Sequence, residues 1–292
     1  MSYLLRRVAV GVFQVFVLSI LMFVLFRVAP GDYYTAALEE RSAGSVEEMR
    51  QASGLQRSWL VQYGDWLGSC ARGEFGVSVA YRLPVSALVG PRVATTLRVA
   101  VPGLVLAWLL GLSGAFLLAR RRVIVDSGVS AAAMVPDVIL ISVVLWIAVW
   151  LGVSITGAWL PILGLTLSLI PVVFLHASSE LRKAFELEFV RIAESRGVRG
   201  LRLWTRYVLP AAANPLVSLA GLSLAAAIGS SFVVEALTGW PGVGPMFLEA
   251  VQARDYPVVQ TVLTGLSSVL VVSNLVADLV LYRLDPRIRS AA

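Results

Sequence analysis

The stretch VAVGVFQVFVLSILMFVLFRV, residues 8–28, decides the fold class because apolar residues fill nearly all of it. A helix rises about 1.5 Å per residue, so roughly 20 such residues cross the hydrocarbon core of a bilayer. The run follows Arg6 and Arg7, an arrangement that secretory signal peptides also show. It is longer than an ordinary signal-peptide core and lacks a small-x-small cleavage site, so we expect a retained transmembrane helix.

Five further apolar segments approach or exceed the same length. Charged residues make up 14% of the 292-residue chain, well below the roughly 25% of soluble domains, and the mean hydropathy is +0.82. A soluble fold of this size needs a polar surface that such a composition cannot supply. The sequence therefore predicts an all-α integral membrane protein with six transmembrane helices, the last five at residues 99–119, 128–151, 158–178, 208–234 and 257–282.

The distribution of basic residues predicts the orientation. If the N and C termini are both cytoplasmic, the predicted cytoplasmic segments hold more than half of the 24 Arg and Lys residues. Acidic residues are more frequent in the predicted outer segments. We therefore read the net charge of +6 as positive-inside topology, and no nucleic-acid partner is expected.

Residues that carry catalytic or metal chemistry are scarce. The chain has one cysteine (Cys70), one histidine (His176) and one lysine (Lys183). These counts exclude an intramolecular disulfide and an HExxH metal site. Lys183 does not follow a glycine-rich loop, which also excludes a Walker-type nucleotide site. We therefore expect that the chain is not an enzyme, with no catalytic residue, no metal site and no bound cofactor of its own.

The chain divides into three regions on this basis. Residues 1–28 form a short tail and the first helix, residues 29–95 an extracytoplasmic loop region, and residues 96–292 a five-helix core with a cytoplasmic loop at 179–207. The outer region contains one apolar pattern at helical spacing. That helix can lie on the membrane surface or pack against its own loop, and the sequence leaves both open. Its apolar positions are Trp59, Leu60, Tyr63, Trp66 and Leu67.

The cytoplasmic loop carries the pattern of a short amphipathic helix. Apolar residues recur there at helical spacings and predict one apolar face, and Gly197 then permits a sharp turn. A solvated connector is one interpretation of this loop. A helix with nothing of its own to cover instead suits docking into the groove of a cytoplasmic partner. The residues of the predicted apolar face are Phe185, Phe189, Ile192 and Ala193.

The same loop resembles the EAA loop of ABC importer permeases. The run FVRIAESRG at residues 189–197, followed by Leu209 and Pro210, is similar to the motif of the dipeptide, oligopeptide and nickel branch. In that branch Arg replaces the Glu of the motif, as Arg191 does here. The family's loop helix couples the permease to its ATPase. The resemblance thus implies that the ATPase-coupling residues are Phe185, Phe189, Arg191, Ile192, Ala193, Glu194, Arg196 and Gly197.

Further motifs extend the resemblance over nearly the whole chain. They are similar to those of the first permease of the pair in this branch, and they imply the type I ABC importer permease fold in a bacterial cytoplasmic membrane. The motifs are YLLRR at 3–7, RVAPGD at 27–32, GEFGVS at 73–78, WPGVG at 240–244, RDYPVVQ at 254–260 and LDPRIR at 284–289.

The resemblance also implies function and partners. It implies a permease subunit that translocates di- or oligopeptides, with ATP and Mg²⁺ bound by two ATP-binding subunits or one fused dimer. A second homologous permease and an extracytoplasmic substrate-binding protein complete the assembly, and membrane lipid surrounds it. Nickel and glutathione are the alternative substrates within the family, and a secondary transporter is the alternative from a different class.

Two further features are candidate sites. Asp137 lies inside the third predicted span, and an embedded carboxylate is costly and usually faces a cavity, so it either lines the translocation path or caps a helix end. A secondary transporter would need several such groups, and only Asp278 accompanies it. The WPGVG motif is either a docking site for the binding protein or only a tight outer turn. Its candidate docking residues are Trp240, Pro241, Gly242 and Gly244.

Overall fold

The computed structural model describes residues 2–28, 57–118 and 124–284. Within these ranges the regular structure is helical, and β-type pairing is limited to one isolated bridge between Val77 and Pro84. The helices are α1 (Ser2–Val28), α2 (Trp59–Ala71), α3 (Val85–Leu118), α4 (Ile124–Ala133), α5 (Asp137–Trp150), α6 (Trp159–Glu186), α7 (Glu188–Ser195), α8 (Gly200–Leu203), α9 (Leu209–Thr238), α10 (Val243–Gln252) and α11 (Tyr256–Leu284).

Five helices in the described part are long and apolar enough to cross a membrane. They are α1, α3, α6, the continuous helix Gly200–Thr238 that includes α9, and α11. This confirms five of the six predicted spans. Three of the helices continue well beyond the apolar runs, since α3 begins at Val85, α6 ends at Glu186 and α9 ends at Thr238.

The third predicted span, at residues 128–151, is broken. Helix α4 ends at Ala133, and α5 starts at Asp137 after Pro136. Proline lacks an N–H and excludes the preceding residue from helical backbone, so the helix stops there although the sequence stays apolar. The 14 residues of α5 span only about 21 Å, less than the roughly 30 Å of the hydrocarbon core. Asp137 therefore begins a helix and does not lie within a continuous span.

The centre of the bundle is the contact between α3 and α6. Two glycines of α3 allow the helices to approach closely. A Cβ at Gly103 would lie 2.9 Å from Leu165 Cβ, and one at Gly111 would lie 2.9 Å from Val173 Cγ1. Small residues at such positions are what allow helices to pack in lipid, where apolar burial between helices supplies little driving force.

Helix α9 packs against α3, α6 and α11. Trp108 Nε1 donates a hydrogen bond to Ser223 Oγ at 2.9 Å and links α3 to α9. Gly221 brings α11 close, because a Cβ there would lie 3.0 Å from Ala277 Cβ. A helix that starts at the loop bearing α7 thus runs through the middle of the bundle. We call the end of the bundle that carries α7 the loop end and the opposite end the far end.

Helix α1 lies antiparallel against α11. Phe26 stacks on Tyr256 with ring centroids 5.5 Å apart, and Arg7 Nη1 lies 3.3 Å from Asp278 Oδ2. The two contacts place Ser2 and Leu284, the first and last described residues, at the loop end. Asp278 is therefore paired within the chain, which fits an ion pair between helices better than an ion-coupling site.

The outer pattern at residues 59–67 forms helix α2, as its spacing predicts. The helix packs against α1, an arrangement that neither sequence-based alternative describes. Tyr63 OH and Ser19 Oγ share a hydrogen bond of 2.8 Å, and the Tyr63 ring lies 5.4 Å from that of Phe23. Leu60, on another side of α2, remains 86% exposed. The motif residues 29–32 and 285–289 lie outside the described ranges.

Candidate functional site

The short helix α7 is set apart from α6 by one extended residue. Leu187 has φ −67° and ψ 137°, so the chain leaves the axis of α6 before α7 begins at Glu188. This break resets the helical phase. Phe185 belongs to the end of α6 and is partly buried in the same cluster as Val190 and Ala193, so the predicted face of one short helix is divided between two helices.

Helix α7 has two apolar edges. Val190 and Ala193 are buried and pack into the cluster at the loop end, so α7 does cover part of its own chain. Phe189 and Ile192 point away and are each about half exposed, at 51% and 50%. Val190 was not predicted to be buried, because Phe189 and Ile192 already fit the spacing of one apolar helical face. The exposed edge remains available to a partner.

A left-handed glycine ends α7. Gly197 has φ +84°, its N–H donates to Glu194 O at 3.0 Å, and the N–H of Val198 donates to Ala193 O at 3.1 Å. This pair of bonds is the Schellman motif, which satisfies carbonyls that a helix end otherwise leaves free. The sharp turn predicted at Gly197 is confirmed. The open space around its Cα means that backbone conformation, and not crowding, favours glycine here.

Trp204 joins the loop to the membrane helices. Its ring lies 3.9 Å from the ring of Phe116 on α3 and 4.8 Å from that of Phe185 on α6, in an edge-on contact. The indole is 9% exposed. This contact could not be predicted from the sequence, because Phe116 and Trp204 are far apart in the chain. The aromatic cluster connects the residue that follows α8 to two membrane helices at once.

A π-helical segment connects α8 to α9. It covers Trp204–Val208, and Leu209 N–H donates to Trp204 O, five residues back. Segments of this type are rare and frequently lie at functional sites. Together, α8, the π segment and α9 form one continuous helix, Gly200–Thr238.

The charges of α7 are mixed in sign. Glu188, Arg191 and Arg196 are exposed, and Glu194 is partly buried. Together with the exposed edge of Phe189 and Ile192, they form a surface of apolar and charged groups of both signs. Such a surface suits the groove of a protein partner.

The WPGVG turn at the far end is directed inward. Trp240 Nε1 donates to Thr95 O at 3.1 Å, and the N–H of Val243 donates to Thr96 Oγ1 at 2.9 Å. Both bonds attach the turn to α3. Gly242 and Gly244 are buried, while Pro241 is exposed and Trp240 is partly buried. Of the predicted docking residues, only Trp240 and Pro241 therefore have side-chain surface to offer.

A buried carboxylate holds this turn from beneath. Glu235 is fully buried, and its Oε2 accepts the N–H of Gly244 at 2.8 Å. A Cβ at Gly242 would overlap the Glu235 carboxyl group, and one at Gly244 would overlap the backbone of Phe232. The two glycines are thus required by close approach. Glu235 was not identified in the sequence, because a carboxylate near the end of a span is also expected to border water.

A second buried carboxylate joins two of the sequence motifs. Asp255 is fully buried, and its Oδ2 accepts bonds from Ser78 Oγ at 2.5 Å and from Ala80 N–H at 3.1 Å. Ser78 ends the GEFGVS motif and Asp255 belongs to the RDYPVVQ motif. Arg254, with φ +55°, makes the turn that presents Asp255. Buried hydrogen bonds therefore link the GEFGVS and RDYPVVQ segments at the far end, and we call this linked surface the platform.

The exposed rim of this platform carries one tyrosine–glutamate pair. Tyr81 OH donates to Glu249 Oε2 at 2.5 Å. The hydrogen bond to Glu249 raises the pKa of Tyr81, with smaller contributions from burial and from the negative charge of the same carboxylate. Beside this pair, Leu248 and Val251 of α10 are exposed.

Asp137 lies apart from both ends. It is partly buried at the start of α5, whose other end, Trp150, joins α6 through the turn at 151–158. Along the axis, Asp137 is about 20 Å from Trp150, so it lies within the thickness of a membrane. The positive end of the helix dipole stabilises a carboxylate there. No group of His, Cys, Asp and Glu within the described residues could hold a metal ion.

Comparison with known families decides the classification. Residues 94–290 match the family described as binding-protein-dependent transport system inner membrane component, and residues 1–100 match the N-terminal membrane component of such systems. The chain belongs to this family of inner membrane components. The resemblance that rests on FVRIAESRG and the other motifs is thereby confirmed.

Relatives of this permease match it over nearly their full length. A putative peptide permease protein of Brucella ovis is 28% identical over 316 residues, which cover 99% of both chains. The oligopeptide transport system permease protein AppB of Bacillus subtilis is 28% identical over 320 residues, covering 98% of this chain and 99% of that one. The glutathione transport system permease protein GsiC of Escherichia coli K12 is 28% identical over 303 residues, covering 99% of each.

A solved structure supports the fold. A chain of the MetNI methionine ABC transporter in an inward-facing conformation superposes with a TM-score of 0.53 at 18% identity, covering 68% of this permease and 96% of that chain. The predicted all-helical fold of a type I importer permease is confirmed. The permease is a multi-pass protein of the inner membrane and a component of a transport system.

Proposed function

We propose that the chain is a permease subunit of an ABC importer that passes di- or oligopeptides across the cytoplasmic membrane, driven by ATP hydrolysis on partner subunits. The observation that carries the proposal is the exposed edge of Phe189 and Ile192 on a helix anchored to the membrane core. Relatives named for peptide and oligopeptide transport support the substrate class.

The loop works as a mechanical connection in this proposal. The exposed edge of α7 fits a groove of the ATPase, with Arg191, Glu194 and Arg196 at its border. Val190 and Ala193 hold α7 against its own chain, and Trp204 ties the loop to α3 and α6. Movement of the ATPase is thus transmitted to α9 through a continuous helix. ATP and Mg²⁺ act on the partners, and this chain contributes no cofactor.

We infer three kinds of partner. Two ATP-binding subunits, or one fused dimer, contact α7. A second homologous permease completes the path within membrane lipid. An extracytoplasmic binding protein delivers the substrate at the far end, where Trp240 and Pro241 supply surface and Gly242 and Gly244 fix the turn. We propose that the loop end, with both termini, faces the cytoplasm, and the predicted distribution of basic residues supports this orientation.

Asp137 is the candidate for the translocation path. A break inside a membrane helix is tolerated where the irregular backbone is buried in protein or lines a water-filled cavity. The residues before Asp137, at 131–136, are exposed, which favours a cavity. A carboxylate there can meet the ammonium group of a passing peptide. Asp137→Asn should lower peptide uptake, and unchanged uptake with normal assembly would refute this role.

The proposed coupling is tested by retention of ATPase subunits and by ATP-driven peptide uptake in proteoliposomes. The double variant F189A/I192A removes the exposed edge and leaves the buried edge intact. It should lose most of both signals. The matched control is V153A/I155A, an exposed apolar pair in the turn between α5 and α6, which should retain both. Uptake by the chain alone, without ATP, would overturn the proposal in favour of a secondary transporter.

Glutathione is the second candidate substrate, because GsiC is as similar to this chain as the peptide permeases are. Nickel is the third, although a nickel path would be expected to offer transient His or Cys ligands, and the chain has one of each. Competition of labelled dipeptide uptake by glutathione and by nickel ions separates the three.

A further inference from the structure

The loop that follows α7 has a surface of a different chemistry. We call residues 199–206, which comprise Arg199, all of α8 and the first part of the π segment, the basic segment. Its three arginines, Arg199, Arg202 and Arg206, are all exposed. Arg199 is the extended residue before α8. Arg202 and Arg206 are four residues apart, which places those two on one side of the helix. From residue 195 to residue 234 the sequence contains no acidic residue at all.

None of these arginines has a partner in the described part of the chain. Arg199, Arg202 and Arg206 make neither an ion pair nor a hydrogen bond there. Other arginines differ, since Arg7 pairs with Asp278 and Arg72 lies 3.7 Å from Glu74. Neighbouring guanidinium groups without a counter-charge repel one another unless an anion binds them.

The position of the segment points to the membrane surface. Leu203 and Trp204 are buried, and the Trp204 ring contacts Phe116, two residues before α3 ends at Leu118. The segment also continues without a break into α9. It therefore lies at the level where membrane helices emerge. Leu201, beside Arg202, is 71% exposed. Arginines next to exposed apolar and aromatic groups are typical of segments that lie in the headgroup layer.

We propose that the basic segment binds the phosphate groups of anionic phospholipids in the membrane leaflet at the loop end, with Leu201 inserted among the acyl chains. A guanidinium group binds phosphate through two parallel hydrogen bonds. Juxtamembrane arginines are attracted to anionic leaflets, and neutral headgroups lack that attraction. The inference rests on the proposed function in one respect only, namely that the ATPase binds α7.

The contrast with α7 separates lipid from protein as the occupant. Helix α7 exposes Phe189 and Ile192 among charges of both signs, the surface that a protein groove matches. The basic segment exposes charge of one sign and a single leucine. Bound headgroups keep the basic segment in the headgroup layer, while the exposed edge of α7 contacts the ATPase.

The test counts lipid molecules by native mass spectrometry. The full chain, purified with the subunits that accompany it, is exchanged into detergent containing equal amounts of phosphatidylglycerol and phosphatidylcholine. We expect R202Q/R206Q to retain about tenfold less phosphatidylglycerol than the wild type, with phosphatidylcholine unchanged. R202K/R206K keeps both charges and should retain most of it, which guards against loss through misfolding.

The matched control is R191Q/R196Q, which removes two exposed charges from the neighbouring helix. It should retain phosphatidylglycerol at the wild-type level. Equal loss in both double variants, or no loss in R202Q/R206Q, overturns the proposal. Release of ATPase subunits by R202Q/R206Q with lipid unchanged would assign the segment to the protein partner and also overturn it. If the wild-type chain co-purifies with no ATPase subunit but retains phosphatidylglycerol, the proposed function is refuted and the lipid proposal is not.

Discussion

Ser78 and Asp255, which are 177 residues apart in the sequence, are joined by a buried hydrogen bond at the far end of the bundle. The bond attaches the segment before α3 to the turn before α11. The same carboxylate also accepts the N–H groups of Val79, at 3.3 Å, and Ala80. One side chain thus orders a turn that has little secondary structure of its own.

Replacement of Asp255 should destabilise the far end. In Asp255→Ala the hydroxyl of Ser78 and the N–H of Ala80 lose their acceptor, and buried donors without a partner cost about 1–3 kcal/mol each. We expect a loss of about 3 kcal/mol in the free energy of unfolding, measured by thermal denaturation in detergent. Asp65→Ala is the control, because that carboxylate is exposed and its pair with Arg57 contributes at most about 1 kcal/mol. An equal loss of stability in both variants would contradict the role of Asp255 as a buried hydrogen-bond acceptor.

The WPGVG turn should not tolerate a methyl group at Gly244. A Cβ there would overlap the backbone of Phe232, which cannot move away as a flexible side chain could. Gly244→Ala should cost about 2–3 kcal/mol through forced displacement of the turn. Gly229→Ala is the control, because that helical glycine faces open space and alanine favours a helix. The midpoint of thermal unfolding should fall for the first variant only.

Gly197 should act through its backbone conformation. An alanine at φ +84° costs about 1–2 kcal/mol, although no atom crowds the site. Gly197→Ala should therefore weaken the retention of ATPase subunits, whereas Gly197→Asn should weaken it less, since asparagine tolerates this region. Gly90→Ala in α3 serves as the control. Equal retention in the alanine and asparagine variants would show that the turn does not position α7.

Trp204 should separate binding of the ATPase from transport. Trp204→Ala removes the contacts with Phe116 and Phe185 but leaves the exposed edge of α7 in place. We expect ATPase subunits to remain bound while ATP-driven uptake falls at least tenfold. Trp204→Phe keeps an aromatic ring and should recover most of the uptake. If Trp204→Ala transports normally, the aromatic cluster is not the route of transmission.

The membrane helices were predictable because each rests on a run of apolar residues. Their ends were not, since α3 begins at Val85, where scattered polar residues interrupt the apolar pattern and packing against the far end supports the helix. The break before Asp137 had a visible signal in Pro136. The apolar residues around Pro136 still predicted one continuous span, because hydropathy measures the length of an apolar segment and not whether its helix is continuous.

The loop was likewise predictable only in part. Periodicity located α7 and Gly197 located its end. Periodicity could not show that Leu187 interrupts the helix, so Phe185 was assigned to the same helix as the residues of α7. The roles of the two buried carboxylates of the far end could not be predicted, for a different reason. Their donors come from the neighbouring turn or from far along the chain, and sequence spacing carries no information on such contacts.

The π segment lets the chain carry one additional residue without changing which way α7 faces. A π turn takes about one residue more than an α turn, so Trp204–Val208 covers about the rotation of four α-helical residues. Removal of one residue within the segment, with a return to regular α-helix, would therefore leave the edge formed by Phe189 and Ile192 facing the same neighbour. Removal of a second residue would turn that edge by about 100° relative to α9. The segment can thus absorb one deletion in the loop, and a further deletion would misdirect the edge.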